Sequence, residues 1–280
     1  MPDYIESPPG FDPQPYAEKA FAEIEHYTAI FILPDGRVGS GVFVNTCGYD
    51  GILTAYHVAK PVLESRLFAL CIAEHEHALW LRSEHFEHIP IGQMPDNEEE
   101  RANGPDLSYI IIRDPNLLGV LRSLKSFCFL DTQRLSPVND PLDAQMWAIA
   151  GSPHEWKAVV EPGSASDGPL IRLSNWVGLG HFQSRTARDG FDYIHIDTWA
   201  GTKDYPFSYK GVSGGGLWLI PLEVDDGGDM QSVRHARPVL AGVAFYETDP
   251  PVGNRRVITG HGFDSIYSRG RKTISELPRP

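Results

Sequence analysis

The chain is written in short apolar runs with turn residues in nearly every gap. Residues 27–33, 37–45, 52–58, 67–73, 77–83, 107–113, 146–151, 170–180, 193–199, 217–224 and 238–247 are each rich in β-branched, aromatic or leucine side chains. Pro34-Asp35-Gly36 and the Gly-Tyr-Asp-Gly of 48–51 separate the first three. Runs this short, not alternated with long helical stretches, predict antiparallel strands closing into barrels or sandwiches rather than a parallel sheet with crossover helices. We therefore expect an all-β fold.

The exceptions to that texture are few. Five prolines fall within the first fifteen residues, a density that opposes regular structure. Residues 16–26 then place Phe21 and Ile24 three apart, with Tyr16 and Ala20 nearby, which predicts a short amphipathic helix. Asp114-Pro115 opens a second helix carrying Leu117, Leu118, Leu121 and Leu124. The polar segment that follows holds two prolines and reads as a connector. A last short helix is expected near 263–270. The organisation expected is an arm and helix over 1–26, a β unit over 27–130, a connector over 131–145, a second β unit over 146–262, and a helix and tail over 263–280.

Charge limits the partners. The chain carries 24 Lys and Arg against 37 Asp and Glu, a net charge of −13. Nucleic-acid binders neutralise phosphates with Lys and Arg, so no nucleic-acid partner is expected. No run approaches the roughly 18 apolar residues of a bilayer-crossing helix, so no membrane partner is expected either. The start, MPDYIESPPG, has neither the basic nor the apolar region of a secretory signal. The three cysteines, Cys47, Cys71 and Cys128, are odd in number and far apart, unlike a disulfide framework. Together these point to a reduced, cytoplasmic setting.

Three segments carry chemistry. His57 follows the small residues of LTAYHV. Asp106 stands at a Gly-Pro turn, at the mouth of LSYIIIR. Ser213 is embedded in GVSGGGLW. Alone, each has a plain structural reading: a hydrogen-bonded histidine, a turn aspartate, a glycine-rich turn. Jointly they supply what acyl transfer needs. A serine hydroxyl needs an imidazole to take its proton, the imidazole needs an orienting carboxylate, and the oxyanion needs backbone N–H donors that glycines can aim. Gly211 and Ser213 are the natural donors.

These segments resemble a trypsin/chymotrypsin-fold serine protease, with the relaxed motifs of bacterial intracellular, HtrA-like members. GSGVFVN and GILTAYHV resemble the histidine segment, GPDLSYIII the aspartate segment and KGVSGGGLW the serine segment; MWAIAGSPH resembles the strand opening the second barrel and LAGVAFYE the strand that pairs with substrate. The resemblance spans residues 27–262 and implies two antiparallel six-stranded barrels. The active site would lie between them, with His57 as general base, Asp106 as orienting acid, Ser213 as nucleophile, and Gly211 with Ser213 as oxyanion hole. A protein or peptide is the implied substrate, and no cofactor is implied. No PDZ-sized segment remains after residue 262. Departures are informative. Val212 stands where digestive members carry an aspartate that pairs with a cleaved N-terminus, Val58 where extracellular members have a disulfide cysteine, and Gly216 where proline is common. Phe245 stands where a small hydroxyl residue often bonds the aspartate, so Asp106 needs another donor.

Alignment on Ser213 puts the base of the primary pocket near Phe207, with Phe245, Tyr246 and Glu247 on its wall. An aromatic floor predicts small or hydrophobic side chains before the scissile bond, whereas Glu247 or Asp249 inside the pocket would call for a basic one. His75, His77, His85 and His88 are close enough in sequence to suggest zinc, but they read more simply as a solvated hairpin; no metal site is expected. The function expected is a serine endopeptidase acting through an acyl-enzyme, with residues 1–26 available to a regulatory protein partner. The alternative is a catalytically silent binding module on the same fold.

Overall fold

A computed structural model describes residues 14–71, 78–93, 95, 101–133, 145–160, 170–223, 234–235, 237–248 and 253–278. Helix α1, Gln14–Tyr27, leads into the first β unit: β1 (Thr28–Ile32), β2 (Val38–Thr46), β3 (Tyr49–Thr54), β4 (Leu67–Cys71), β5 (Ala78–Arg82), β6 (Phe86–Gly92), β7 (Leu107–Ile112) and β8 (Cys128–Phe129). Helix α2 (Tyr56–Glu64) lies between β3 and β4, and α3 (Pro115–Leu124) between β7 and β8. The second unit holds β9 (Gln145–Gly151), β10 (Ala158–Val160), β11 (Leu170–Arg172), β12 (Trp176–Arg188), β13 (Phe191–Trp199), β14 (Gly216–Glu223), β15 (Arg234–His235), β16 (Val239–Glu247) and β17 (Arg255–His261). A π-helical turn, Asp264–Gly270, runs into α4 (Arg271–Ser275).

The expected all-β class holds. In the second unit six strands close on themselves in the order β14-β16-β17-β13-β12-β9, and the β14–β9 ladder completes the ring. The first unit curls through β5-β4-β1-β2-β3-β7-β6, all antiparallel, and no ladder among the described residues joins its two ends. It is a half-barrel beside a closed barrel. The reason is visible in β2 and β3, whose residues are buried on both faces: the sheet folds over itself, and one hydrophobic cluster runs from Phe43, Ile52 and Tyr109 into Trp218, Leu240 and Val243 of the second unit.

Helix α1 belongs to that core. Ala17, Ala20, Ile24 and Tyr27 recur at helical spacing and are buried. The Tyr27 ring stacks on the fully buried Trp218 at 5.4 Å, joining the helix to β14. The helix expected over 16–26 thus exists, but its apolar stripe includes Tyr27 and leaves Phe21 only partly covered.

One local element differs from the sequence reading. The run 52–58 looks like one strand ending in His57, but β3 stops at Thr54 and Ala55, in an extended conformation, caps α2. His57 is therefore in a first helical turn. Val58, Ala59 and Val62 bury the inner face of α2, and this packing outweighs the strand-like texture of the run.

Since Trp218 fills the space between α1 and the core, Trp218→Ala is expected to lower stability by about 3–5 kcal/mol. A urea denaturation curve reads this as a lower midpoint with an unchanged slope.

Candidate active site

A cleft of about 620 Å³ opens between the two units, lined by His57, Arg101, Asp106, Tyr209, Lys210, Val212, Ser213, Ala244, Phe245, Tyr246, Glu247 and Ile258. The first three come from α2 and the approach to β7, and the rest from the second unit. The three residues singled out for acyl transfer therefore share one cleft.

Asp106 binds His57 twice. Its Oδ1 accepts the His57 backbone N–H at 2.9 Å, and its Oδ2 lies 2.5 Å from His57 Nδ1. The carboxylate is an obligate acceptor, so Nδ1 carries the proton and Nε2 is left as the basic nitrogen. The Asp106 side chain is 1% exposed and that of His57 30%, so the pair is sheltered on the acid side and open on the imidazole side. The donor that Phe245 cannot supply is thus replaced by the main chain of His57. No hydrogen bond among the described residues joins the His57 ring to the Ser213 hydroxyl. In ligand-free sites this contact is commonly loose and tightens with substrate.

The serine segment is held from both units. Tyr209–Val212 is a turn closed by Val212 N–H to Tyr209 O at 2.9 Å, with Gly211 at φ +94°; such a turn demands positive φ at its third residue. Lys210 O is taken by His154 N–H at 2.7 Å, Gly211 O by Ser40 Oγ at 2.7 Å, and Ser213 O by Ser40 N–H at 2.9 Å. With the carbonyls tied back, the N–H groups of Gly211 and Ser213 donate to no group among the described residues. Ser40 anchors this arrangement. Its Oγ also accepts the Ser152 N–H at 2.9 Å, and its carbonyl accepts the Thr54 hydroxyl at 2.6 Å. Gly214, at φ +88°, packs against the same Ser40 carbonyl and Thr54 hydroxyl with no space for a Cβ.

The residues expected to set specificity separate into two groups. Phe245, Tyr246 and Glu247 line the cleft. Phe207 does not: the residue is 59% exposed, with the Arg256 guanidinium 5.6 Å from the centre of its ring. The Glu247 carboxylate accepts from Ser208 Oγ and from Tyr209 N–H, each at 2.9 Å, and pairs with Arg256 Nη1 at 3.1 Å. Arg256 is itself buried and also donates to Phe207 O and Thr248 O. The acid at the pocket wall therefore already has a cation, and Asp249 lies outside the described residues. Arg101 and Lys210, both exposed, put two cations at the cleft.

His75 and His77 lie outside the described residues. His85 Nδ1 meets Asp114 Oδ2 at 2.9 Å, and His88 Nε2 meets Ser108 Oγ at 2.9 Å. Among the described residues no group of three potential ligands could hold a metal ion. All three cysteines are free; burial pushes the Cys71 thiol up to about 11 and the Cys128 thiol to about 12, far from a reactive thiolate.

Sequence reasoning missed Ser40, Arg256 and His261. His261 is fully buried, and its Nε2 accepts the Asp106 backbone N–H at 2.9 Å. For the first two only the GSG segment before β3 and the paired basic residues of β17 hint at a role.

No protein-family model matches the chain, and no curated protein matches it in sequence. Among solved structures it is similar to the Rv3671c protease in an inactive form, at 13% identity and TM-score 0.44, over 95% of this chain and 97% of that one. It is similar to the Drosophila Grass clip serine protease of the Toll pathway at 14% identity and TM-score 0.47, over 92% and 70%. It is also similar to the scabies mite inactivated protease paralogue S-D1 at 12% identity and TM-score 0.43, over 92% and 96%.

Two outcomes follow from this geometry. Gly214→Ala combines positive φ with a collision against main-chain oxygen, and is expected to cost at least about 2 kcal/mol in denaturant unfolding. His261 contributes a pH dependence. Burial lowers it to about 4 from 6.5, against the pull of Asp106 and Asp192. The unfolded chain takes up this proton near pH 6.5 and the folded chain only near pH 4. Its contribution to stability is thus complete above about pH 6.5 and drains away as pH falls toward 4. Denaturation midpoints compared at pH 7 and pH 5 should fall less in His261→Gln than in the parent.

Proposed function

We propose that this protein is a serine endopeptidase of the trypsin-like kind. The observation that carries the reading is the double grip of Asp106 on His57, in one cleft with Ser213 and with the N–H groups of Gly211 and Ser213, which donate to no group among the described residues. In this reading Ser213 Oγ attacks the scissile carbonyl while His57 Nε2 takes its proton. The tetrahedral oxyanion is held by Gly211 and Ser213 N–H, and His57 returns the proton to the leaving amine. Water then enters by the same path and hydrolyses the acyl-enzyme. Asp106 keeps the proton on Nδ1 and stabilises the imidazolium without itself being protonated. None of these steps calls on a cofactor.

The substrate is a protein or peptide laid across the cleft beside β16. Because the Glu247 carboxylate is already matched by Arg256, Ser208 and Tyr209, it offers nothing to a Lys or Arg side chain. It also occupies space between the walls formed by 207–212 and by β16. Small, uncharged side chains before the scissile bond fit this best. We further propose a cytoplasmic, HtrA-like protease, with the exposed face of α1 and the segment before it offered to a regulatory partner, since the apolar face of α1 is used by the core.

Hydrolysis of a peptide library tests the reading. Activity should vanish in Ser213→Ala and fall by about 10⁴-fold in kcat in Asp106→Asn. Lys or Arg before the bond should be cleaved at less than about a tenth of the rate for Ala. Undiminished hydrolysis in Ser213→Ala contradicts the mechanism, and none in the parent favours the silent binding module.

A further inference from the structure

We infer that His261 is a positioning residue that fixes the orienting carboxylate from the opposite β unit. The inference rests on the peptidase reading of Asp106 and His57 and goes beyond it, because the closed barrel then sets the geometry of an acid belonging to the half-barrel.

His261 ends β17, paired across the barrel with Val243 of β16 and Tyr193 of β13. It is 155 residues from Asp106 in sequence, yet its Nε2 takes the Asp106 main-chain N–H at 2.9 Å. A nitrogen that accepts carries no proton, so the neutral ring holds its proton on Nδ1. The opposite tautomer, or the cation, would set N–H against N–H. Nδ1 is buried and has no hydrogen-bond partner among the described residues. A buried donor left unpaired is costly, and an apolar side chain of similar size would avoid that cost if packing were the sole requirement. What the imidazole adds is the acceptor.

The surroundings hold that choice. The Phe245 ring stacks on His261 with centres 4.9 Å apart, and the Tyr193 and Phe191 rings pack at 5.2 and 5.3 Å. The charged groups felt by the ring are the carboxylates of Asp106 and Asp192. Asp192 is occupied elsewhere, by Ser265 and by Arg185 Nε at 3.0 Å. Burial among aromatic rings keeps the imidazole neutral near neutral pH. The main chain of Asp106 is thereby pinned at its N–H, and its carboxylate is pinned by the main chain and ring of His57. Phe245, which cannot bond the aspartate itself, serves by clamping the residue that does.

The test uses the full chain. Nitrogen-15 spectra of the parent at pH 7 should report His261 as the neutral, Nδ1-protonated tautomer; an Nε2-protonated or cationic ring overturns the proposal, and this readout needs no turnover. His261→Leu should lower kcat on a peptide ester by about tenfold or more, keep KM within about twofold, and abolish the low-field Nδ1 proton signal of His57. His261→Gln, whose amide oxygen can accept the Asp106 N–H, should keep both near the parent. Equal losses in the two variants, or an unchanged His57 proton in the Leu variant, overturn the proposal. If the Leu variant does not fold, the parent tautomer and the His57 proton of the Gln variant decide. A parent that hydrolyses nothing contradicts the peptidase reading alone, and His261 is then judged by the spectra.

Discussion

The site depends on one buried carboxylate with two hydrogen bonds to one residue. Asp106 is 1% exposed and spends both oxygens on His57, at 2.9 Å to its main chain and 2.5 Å to its ring. A carboxylate out of water is tolerated only when its acceptors are filled, and here a single partner fills them. The first bond fixes where the helix turn begins, and the second fixes which ring nitrogen is basic. The fold around the cleft serves to keep this contact dry on one side and open on the other.

The two β units are tied at that point. Ser40 of β2 makes three hydrogen bonds across the boundary: its N–H and Oγ hold the carbonyls of Ser213 and Gly211, and its Oγ also receives the Ser152 N–H. His261 returns the link in the other direction. Because these contacts are main-chain bonds on at least one side, they position the serine turn and the aspartate without depending on flexible side chains. The shared cluster from Phe43 to Trp218 and Val243 supplies the apolar burial that holds the units together.

How much of this was legible in the sequence follows from what each residue leaves in a linear pattern. The β class and the candidate residues were readable, because alternating apolar runs and glycines around a serine are local signals. His57 was expected at the end of a strand but lies in a helix start, since Ala55 and Val58 look the same in either; only the packing of Val58 and Val62 separates them. Phe207 was expected at the pocket base but is exposed, with Arg256 set against its ring. The acid of Glu247 was visible, while its neutralisation by Arg256 was not, because the partner is nine residues away on another strand. Ser40 left only the faint hint of its flanking glycines and His261 none, as their roles exist only across the unit boundary.

The central claim is that Ser213 is a nucleophile armed by His57. A fluorophosphonate probe followed by peptide mass mapping tests it most directly. The account predicts one adduct, on the peptide holding Ser213, lost in His57→Ala and indifferent to EDTA. Absence of that adduct in a folded parent protein, or an adduct that forms equally well without the histidine, would contradict it.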